Sequence, residues 1–128
     1  MGLRIDLSRV TIPSYFISTV EDHIAPWKTT YVGSRYLGGS TRFVLGGSGH
    51  IAGIVNPPAA KKYHYWTNDA PAATADEWFA GAKQTPGSWW DNWQQWLHQL
   101  NQGEKVPARI PANAIEDAPG SYATLRLK

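Results

Sequence analysis

The hydrophobic positions in the first fifty residues form two short apolar runs that are separated by a mixed segment. Residues 12–20 are rich in β-branched and aromatic side chains, and their nearly continuous apolar centre is typical of a strand buried on both faces, as in a parallel sheet. Pro13 is compatible with the beginning of such a strand. Residues 41–45 have a second strand pattern, which a glycine-rich stretch ends.

Between these strands, residues 29–37 are predicted to form a helix. Pro26 can open this helix, and Gly38 and Gly39 are expected to end it. Two parallel strands need a crossover connection, and such connections are right-handed in almost all proteins. The first part of the chain therefore predicts one strand–helix–strand unit of an α/β fold.

The second half of the chain is predicted to be helical and rich in tryptophan. Thr74 and Glu77 have the spacing of a capping box, which predicts a short helix at that point. Ser88 can cap a longer helix over residues 89–100, which Gly103 is expected to end. We thus divide the chain into a strand–helix–strand part (1–55), a Trp-rich helical part (56–105) and an extended tail (106–128).

The longer helix has an amphipathic pattern. Its large apolar residues recur at helical spacing and share one face: Trp89, Trp93, Trp96, Leu97 and Leu100. This spacing favours core positions for Trp93 and Trp96. Trp89 and Trp90 are adjacent and cannot share a face, so one of them is expected to be exposed to a partner or to an apolar polymer.

Composition and charge narrow the possible classes of protein. The 128 residues suit one small domain, and 42% hydrophobic against 17% charged residues allow a packed core. The net charge of +2 comes from dispersed Lys and Arg, which disfavours nucleic-acid binding. The chain has no cysteine, so disulfides and thiolate metal sites are excluded, and a cytoplasmic location is compatible with this. No apolar run approaches the roughly 18 residues of a membrane span.

An acid and a histidine follow the two predicted strands. Asp22 lies after the first strand and His50 after the second, and in open α/β sheets the chemistry lies at the carboxyl ends of strands. An acid followed by a histidine is the order of a hydrolase-type triad, in which the imidazole moves protons and the carboxylate orients it. The alternative is that both are ordinary solvated loop residues. His23 either supports this pair or holds the turn.

The chain contains no evident nucleophile. Residues 46–49 read Gly-Gly-Ser-Gly, but a nucleophile elbow needs a second glycine at position 50, which is histidine. Ser48 is therefore assigned no nucleophilic role. A metal site at Asp22, His23 and His50 is disfavoured because no histidine pair has ligand spacing. We expect neither a metal nor another cofactor.

Several segments resemble class I poly(3-hydroxyalkanoate) synthases, and they occur in the order found in that family. Residues 21–27, EDHIAPW, are similar to the acid-bearing segment, and residues 43–53, FVLGGSGHIAG, are similar to the histidine segment. Further similar segments cover residues 55–58, 65–68, 78–82, 86–90 and 118–122. The resemblance extends from about residue 5 to the end of the chain and identifies it with the C-terminal part of such a synthase.

The resemblance implies the C-terminal portion of an α/β-hydrolase fold and a role in polyester synthesis. Enzymes of this family polymerise (R)-3-hydroxyacyl-CoA with release of CoA, and an upstream cysteine carries the growing chain as a thioester. The histidine matching His50 activates that cysteine. The aspartate matching Asp22 helps to activate the substrate 3-hydroxyl, directly or through the histidine, and His23 matches a supporting residue. The family dimerises and works in the cytoplasm at the surface of polyester granules.

The cysteine-bearing elbow of the family is absent from this chain. The expected explanations are a truncated piece, a partial gene product or a separately made half of a synthase. Such a chain should be inactive alone and should supply Asp22 and His50 to a cysteine-bearing part. The alternative is a non-catalytic module whose Trp-rich helices bind polyester granules or a partner synthase, and a remnant without function is the third possibility.

Overall fold

A computed structural model describes residues 2, 4–70, 72–101 and 103–126 and contains a four-stranded mixed sheet in the order β1-β2-β3-β4. β1 (Ser14–Thr19) and β2 (Thr41–Gly46) are parallel, and α1 (Trp27–Ser34) connects them. A 3₁₀ turn, Leu7–Arg9, precedes β1. The structure therefore confirms the predicted strand–helix–strand unit, with the helix beginning and ending slightly earlier than expected.

Two further strands were not predicted. After a 3₁₀ turn at Pro58–Ala60, β3 (His64–Thr67) pairs antiparallel with β2, and β4 (Lys83–Pro86) pairs antiparallel with β3. Each is only four residues long, and β4 reads Lys-Gln-Thr-Pro, which has no apolar alternation. Such strands depend on pairing with their neighbours in the sheet, β3 with β2 and β4 with β3, which local sequence does not encode. The region 56–105 is thus a mixture of strands and helices instead of a helical part.

Successive side chains of β2 point to opposite faces of the sheet, so this strand contributes to the packing on both. Phe43 and Leu45 contribute to an aromatic core together with Tyr31 of α1 and Trp78 of α2 (Ala75–Ala80). The rings of Phe43 and Trp78 meet edge to face at 5.0 Å, and Trp78 is only 2% exposed. Such pairs add to the burial of apolar area. This core fixes α1 and α2 on one face of the sheet.

The opposite face carries α3 (Trp90–Leu100), which is held by a polar contact. The Oδ1 atom of Asn92 accepts hydrogen bonds from the Tyr15 hydroxyl at 3.1 Å and from Nε of Arg42 at 3.0 Å. Burial raises the pKa of Tyr15, so its hydroxyl remains a donor at neutral pH. α3 is therefore anchored to both β1 and β2.

The predicted core role of the α3 tryptophans is wrong for Trp93. No residue of α3 is buried, and Trp93 is 40% exposed, whereas Trp96 is half-buried against the ring of Tyr15 at 5.4 Å. The amphipathic stripe is present, but the sheet covers only part of it in the described structure. The expectation that one of Trp89 and Trp90 is exposed agrees with Trp90, which is more exposed than the half-buried Trp89.

The tail contains little regular structure. Residues 103–119 form turns and irregular backbone, and the short α4 (Gly120–Thr124) follows them. Almost every residue between 103 and 126 is exposed, as expected for a surface tail, although α4 was not predicted. In the part of the chain that the structure describes, no helix is long and apolar enough to cross a membrane.

The predicted capping box is present at the start of α2. Thr74 Oγ1 accepts from the backbone N–H of Glu77 at 3.2 Å, and the Glu77 carboxylate accepts from the backbone N–H of Thr74 at 3.2 Å. We expect Thr74→Ala to lower the free energy of unfolding by about 1 kcal/mol, because it leaves an N-terminal donor of the helix without its partner. Urea denaturation measures this loss.

Thr29→Ala is the matched control for that prediction. Thr29 is exposed inside α1, where alanine is the better helix former, so this variant should be no less stable than the native protein. Equal destabilisation by the two substitutions would mean that the capping box contributes nothing.

Candidate functional site

The parallel pairing of β1 and β2 continues into the loops that follow them. The N–H of Val20 donates to the Gly46 carbonyl at 2.9 Å, and the N–H of Glu21 donates to the Ser48 carbonyl at 3.1 Å. Ser48 itself has φ 71°, in the left-handed region where the chain can turn sharply. The two loops thus leave the sheet side by side, one carrying Asp22 and the other His50.

The structure brings Asp22 and His50 into direct contact. Nδ1 of His50 lies 2.7 Å from Oδ2 of Asp22. The other carboxylate oxygen, Oδ1, accepts from the backbone N–H groups of Ile24 at 2.9 Å and Ala25 at 2.8 Å. Only 7% of the Asp22 side chain is exposed, against 47% for the His50 side chain. The acid is enclosed by its partners, and the imidazole extends from it toward solvent.

These contacts stabilise the charged form of Asp22. The hydrogen bond from the Ala25 N–H is the largest cause of a lowered pKa, and the bonds from His50 and the Ile24 N–H act in the same direction. Because the folded-state pKa lies below that of an unfolded chain, this carboxylate favours folding above the ordinary aspartate range. That contribution is lost as the pH falls through the folded pKa. Asp22 is therefore a carboxylate at neutral pH.

An ionised acid on Nδ1 determines what His50 can do. In the neutral imidazole, the Nδ1 proton is donated to Asp22, which leaves Nε2 as the proton acceptor. The carboxylate also stabilises the imidazolium that forms when Nε2 takes a proton. The arrangement can therefore act as a general base and then a general acid toward a group that approaches Nε2.

Close packing under the histidine loop explains its glycines. A Cβ atom on Gly53 would overlap the Gly47 carbonyl oxygen and the side chain of Thr19, which is itself 1% exposed. A Cβ atom on Gly47 would lie 3.0 Å from the carbonyl oxygen of His64. The sequence showed these glycines but not their neighbours, so Thr19 and His64 were not recognised as parts of the site.

His23 is placed differently from Asp22 and His50. Its side chain is exposed, and no hydrogen bond joins it to another described residue. Its supporting role remains a prediction. Among the described residues, no three His, Asp or Glu side chains are grouped so that they could hold a metal ion.

The amino-acid sequence is similar to curated polymerases over almost its whole length. It is 52% identical over 98% of the chain to the Poly(3-hydroxyalkanoate) polymerase subunit PhaC of Rhizobium meliloti (strain 1021), of which it covers 21%. It is 45% identical over 94% of the chain to the subunit of the same name from Cupriavidus necator, again covering 21%. Poly(3-hydroxyalkanoate) polymerase 2 of Ectopseudomonas oleovorans is 37% identical over 98% of the chain, with 23% covered.

The chain spans about a fifth of the length of these curated relatives. No family model matches the sequence. The similarity at 42–52% identity over nearly every residue, together with the acid and histidine loops described above, leads to one assignment. The chain corresponds to the C-terminal part of poly(3-hydroxyalkanoate) polymerases.

Proposed function

We propose that this chain supplies the aspartate and histidine of a Cys-Asp-His triad in a polyester synthase. The complete enzyme would polymerise (R)-3-hydroxyacyl-CoA into poly(3-hydroxyalkanoate) with release of CoA, and the cysteine would come from polypeptide outside this chain. The observation that carries the proposal is the 2.7 Å contact between Nδ1 of His50 and Oδ2 of Asp22, which leaves Nε2 free to serve a thiol. The similarity to poly(3-hydroxyalkanoate) polymerases supports the substrate class.

The proton movements follow from this geometry. Nε2 of His50 takes the proton of the cysteine thiol, and the thiolate attacks the thioester carbon of the substrate. A carbon–sulfur bond to the cysteine forms, the carbon–sulfur bond to CoA breaks, and the proton on Nε2 passes to the departing CoA sulfur. In chain extension, the same nitrogen takes the proton of the hydroxyl that attacks the cysteine-bound acyl thioester. An ester carbon–oxygen bond forms, the carbon–sulfur bond to the cysteine breaks, and the proton on Nε2 passes to the departing cysteine sulfur.

We assign Asp22 a role that acts through His50. Its Oδ1 atom already accepts two backbone hydrogen bonds, its Oδ2 atom binds the imidazole, and 7% of the side chain is exposed. A substrate hydroxyl has little carboxylate surface to approach. Asp22 therefore orients His50 and stabilises the imidazolium, instead of activating the 3-hydroxyl itself.

The open edge of β1 supports a role as part of a larger α/β-hydrolase domain. Among the described residues, β1 pairs with a strand on one side only, which is β2, and it carries the apolar side chains of Phe16 and Ile17. Parallel strands with apolar residues on both faces belong to the interior of a sheet. A strand from the rest of the synthase would complete this edge. Dimerisation of the complete enzyme and its position at cytoplasmic polyester granules are also part of the proposal.

The test joins the chain to the rest of a synthase. We expect no CoA release from (R)-3-hydroxybutyryl-CoA by the chain alone or by the Rhizobium meliloti polymerase lacking its matching segment. A graft that carries this chain in place of that segment should release CoA, because it restores all three members of the triad. The assay follows free CoA with a thiol reagent. A folded, soluble graft that is as inactive as the deletion would contradict the proposal, as would CoA release by the chain alone.

A granule-binding module is the second candidate, and the exposed apolar surface of α3 favours it. Trp93, Leu97 and Leu100 are each exposed by about two fifths or more of their surface. Apolar polymer could cover such a surface. Granule binding by the isolated chain that is unaffected by substitution of Asp22 and His50, together with an inactive graft, would favour this candidate over the catalytic one.

A further inference from the structure

We propose that Trp89 and Trp90 are positioning residues for His50, a role that rests on the proposed function. Their two indole N–H groups converge on one backbone carbonyl, that of Ile54. Ile54 lies four residues after His50, in the turn that carries the imidazole. The indoles hold the far end of this turn and so keep the ring of His50 aligned with Asp22.

The turn after His50 has its own internal hydrogen bonds. The N–H of Gly53 donates to the Gly49 carbonyl at 3.0 Å, and the N–H of Val55 donates to the Ile51 carbonyl at 2.8 Å. These bonds make residues 49–55 a single compact unit. A displacement of the Ile54 carbonyl, near the end of this unit, therefore displaces the backbone of His50, near its beginning.

The carbonyl of Ile54 is saturated by the two tryptophans. Nε1 of Trp89 lies 3.2 Å from the Ile54 oxygen, and Nε1 of Trp90 lies 3.0 Å from it. A carbonyl oxygen has two lone pairs, and each indole has a single polar hydrogen. Two adjacent tryptophans can reach the same acceptor only in a narrow range of orientations, so the pair is specific for this position of the turn.

The ring of Trp89 and the backbone of Trp90 are each held by a neighbouring residue. The ring of Trp89 stacks on Tyr15 of β1, with centroids 6.1 Å apart and planes 30° from parallel. The backbone N–H of Trp90 donates to Oγ of Ser88, a residue that is 6% exposed. The tryptophan pair thus links the turn that bears His50 to the sheet and to the start of α3.

His50 needs such support because its own side chain has few contacts. Nearly half of it is exposed, and Asp22 is its one hydrogen-bond partner among the described residues. Its orientation therefore depends on the backbone that carries it. A displacement of about 1 Å in a reacting group can reduce a rate about 10²-fold.

The test replaces both tryptophans with phenylalanine in the active graft described above. Trp89→Phe with Trp90→Phe should lower kcat about 10- to 100-fold and leave KM within about twofold, because the ring of His50 acts in the chemical step. Trp96→Phe is the matched control, since this indole lies on the same helix, packs on the ring of Tyr15 as phenylalanine still can, and forms no hydrogen bond within the described structure. The control should keep both kinetic parameters. Equal kcat values in the two proteins would overturn the proposal.

Two further measurements separate positioning from folding and from the proposed function. Benzothienylalanine at positions 89 and 90 keeps the bicyclic ring and removes only the N–H, so it should reproduce the loss of kcat in a fully folded enzyme. In protein labelled with ¹⁵N-histidine, the downfield proton on Nδ1 of His50 should disappear through fast exchange in both altered proteins and persist in Trp96→Phe. This signal requires no turnover. If His50→Gln leaves the rate of CoA release unchanged, the proposed function is wrong. If the Nδ1 proton signal of His50 persists in the proteins altered at positions 89 and 90, the positioning role is wrong, whether or not the proposed function holds.

Discussion

Replacing His50 with glutamine is expected to slow CoA release by the grafted synthase about 10²- to 10⁴-fold. Glutamine can still donate a hydrogen bond to the Asp22 carboxylate, so the loop should keep its fold. Its amide cannot take a proton from a thiol and return it to a leaving group near neutral pH. The substitution therefore removes the proton transfer and preserves most of the packing.

His98→Gln is the control for this substitution. His98 lies in the last turn of α3 and is exposed, so exchanging it for glutamine should change the rate by less than about twofold. Steady-state CoA release and circular dichroism are compared for the two variants. If His50→Gln turns over as fast as His98→Gln, His50 is not the base and the proposed triad is wrong.

The strand–helix–strand unit could be predicted because its elements are encoded locally. The apolar run before Asp22 is continuous enough to indicate a parallel strand, and the glycines after Leu37 indicate that the helix has ended by that point, although it ends already at Ser34. β3 and β4 could not be predicted in the same way. They are short, and the pairing of β3 with β2 and of β4 with β3 is a tertiary contact that no local pattern contains.

The tryptophans of α3 show a different limit of prediction from the sequence. Helical spacing correctly places Trp93, Trp96 and Leu97 on one side of a helix, but spacing does not say how much of that side is covered. In the structure, the contact with the sheet is made by the half-buried Trp96 and by Asn92, a polar residue that the apolar pattern omits. Amphipathicity predicted the helix but not its burial.

The sequence could predict where in the fold Asp22 and His50 lie, but it could not predict the hydrogen bonds and close contacts that hold them there. Parallel neighbouring strands end at the same edge of a sheet, so residues after them are expected to be near each other. That argument cannot supply the two backbone N–H groups that enclose Asp22 or the close approach of Gly53 to Gly47. It also cannot bring Trp89 and Trp90 to the carbonyl of Ile54.

Asp22→Asn is expected to reduce the rate of the grafted synthase by as much as about 10⁴-fold, although it changes only one polar atom. The backbone N–H groups of Ile24 and Ala25 determine which of the two carboxylate oxygens the amide nitrogen replaces. Oδ1 of the asparagine should continue to accept from Ile24 and Ala25, so the amide nitrogen replaces the oxygen that faces His50. That nitrogen donates to Nδ1, which forces the imidazole proton onto Nε2. His50 is then neutral in the wrong tautomer and cannot accept the thiol proton.

The two possible roles of Asp22 are distinguished by whether Asp22→Asn slows both acylation of the cysteine and chain extension, or chain extension alone. If Asp22 acts through His50, the first release of CoA, which accompanies acylation of the cysteine, must slow as much as chain extension, because both steps use Nε2. If the carboxylate instead activates the substrate 3-hydroxyl directly, acylation needs no help from it. A rapid-quench experiment on Asp22→Asn would then show a full-speed burst of one CoA per site followed by stalled extension. Since Oδ2 is occupied by His50 and only 7% of the side chain is exposed, we expect no such burst.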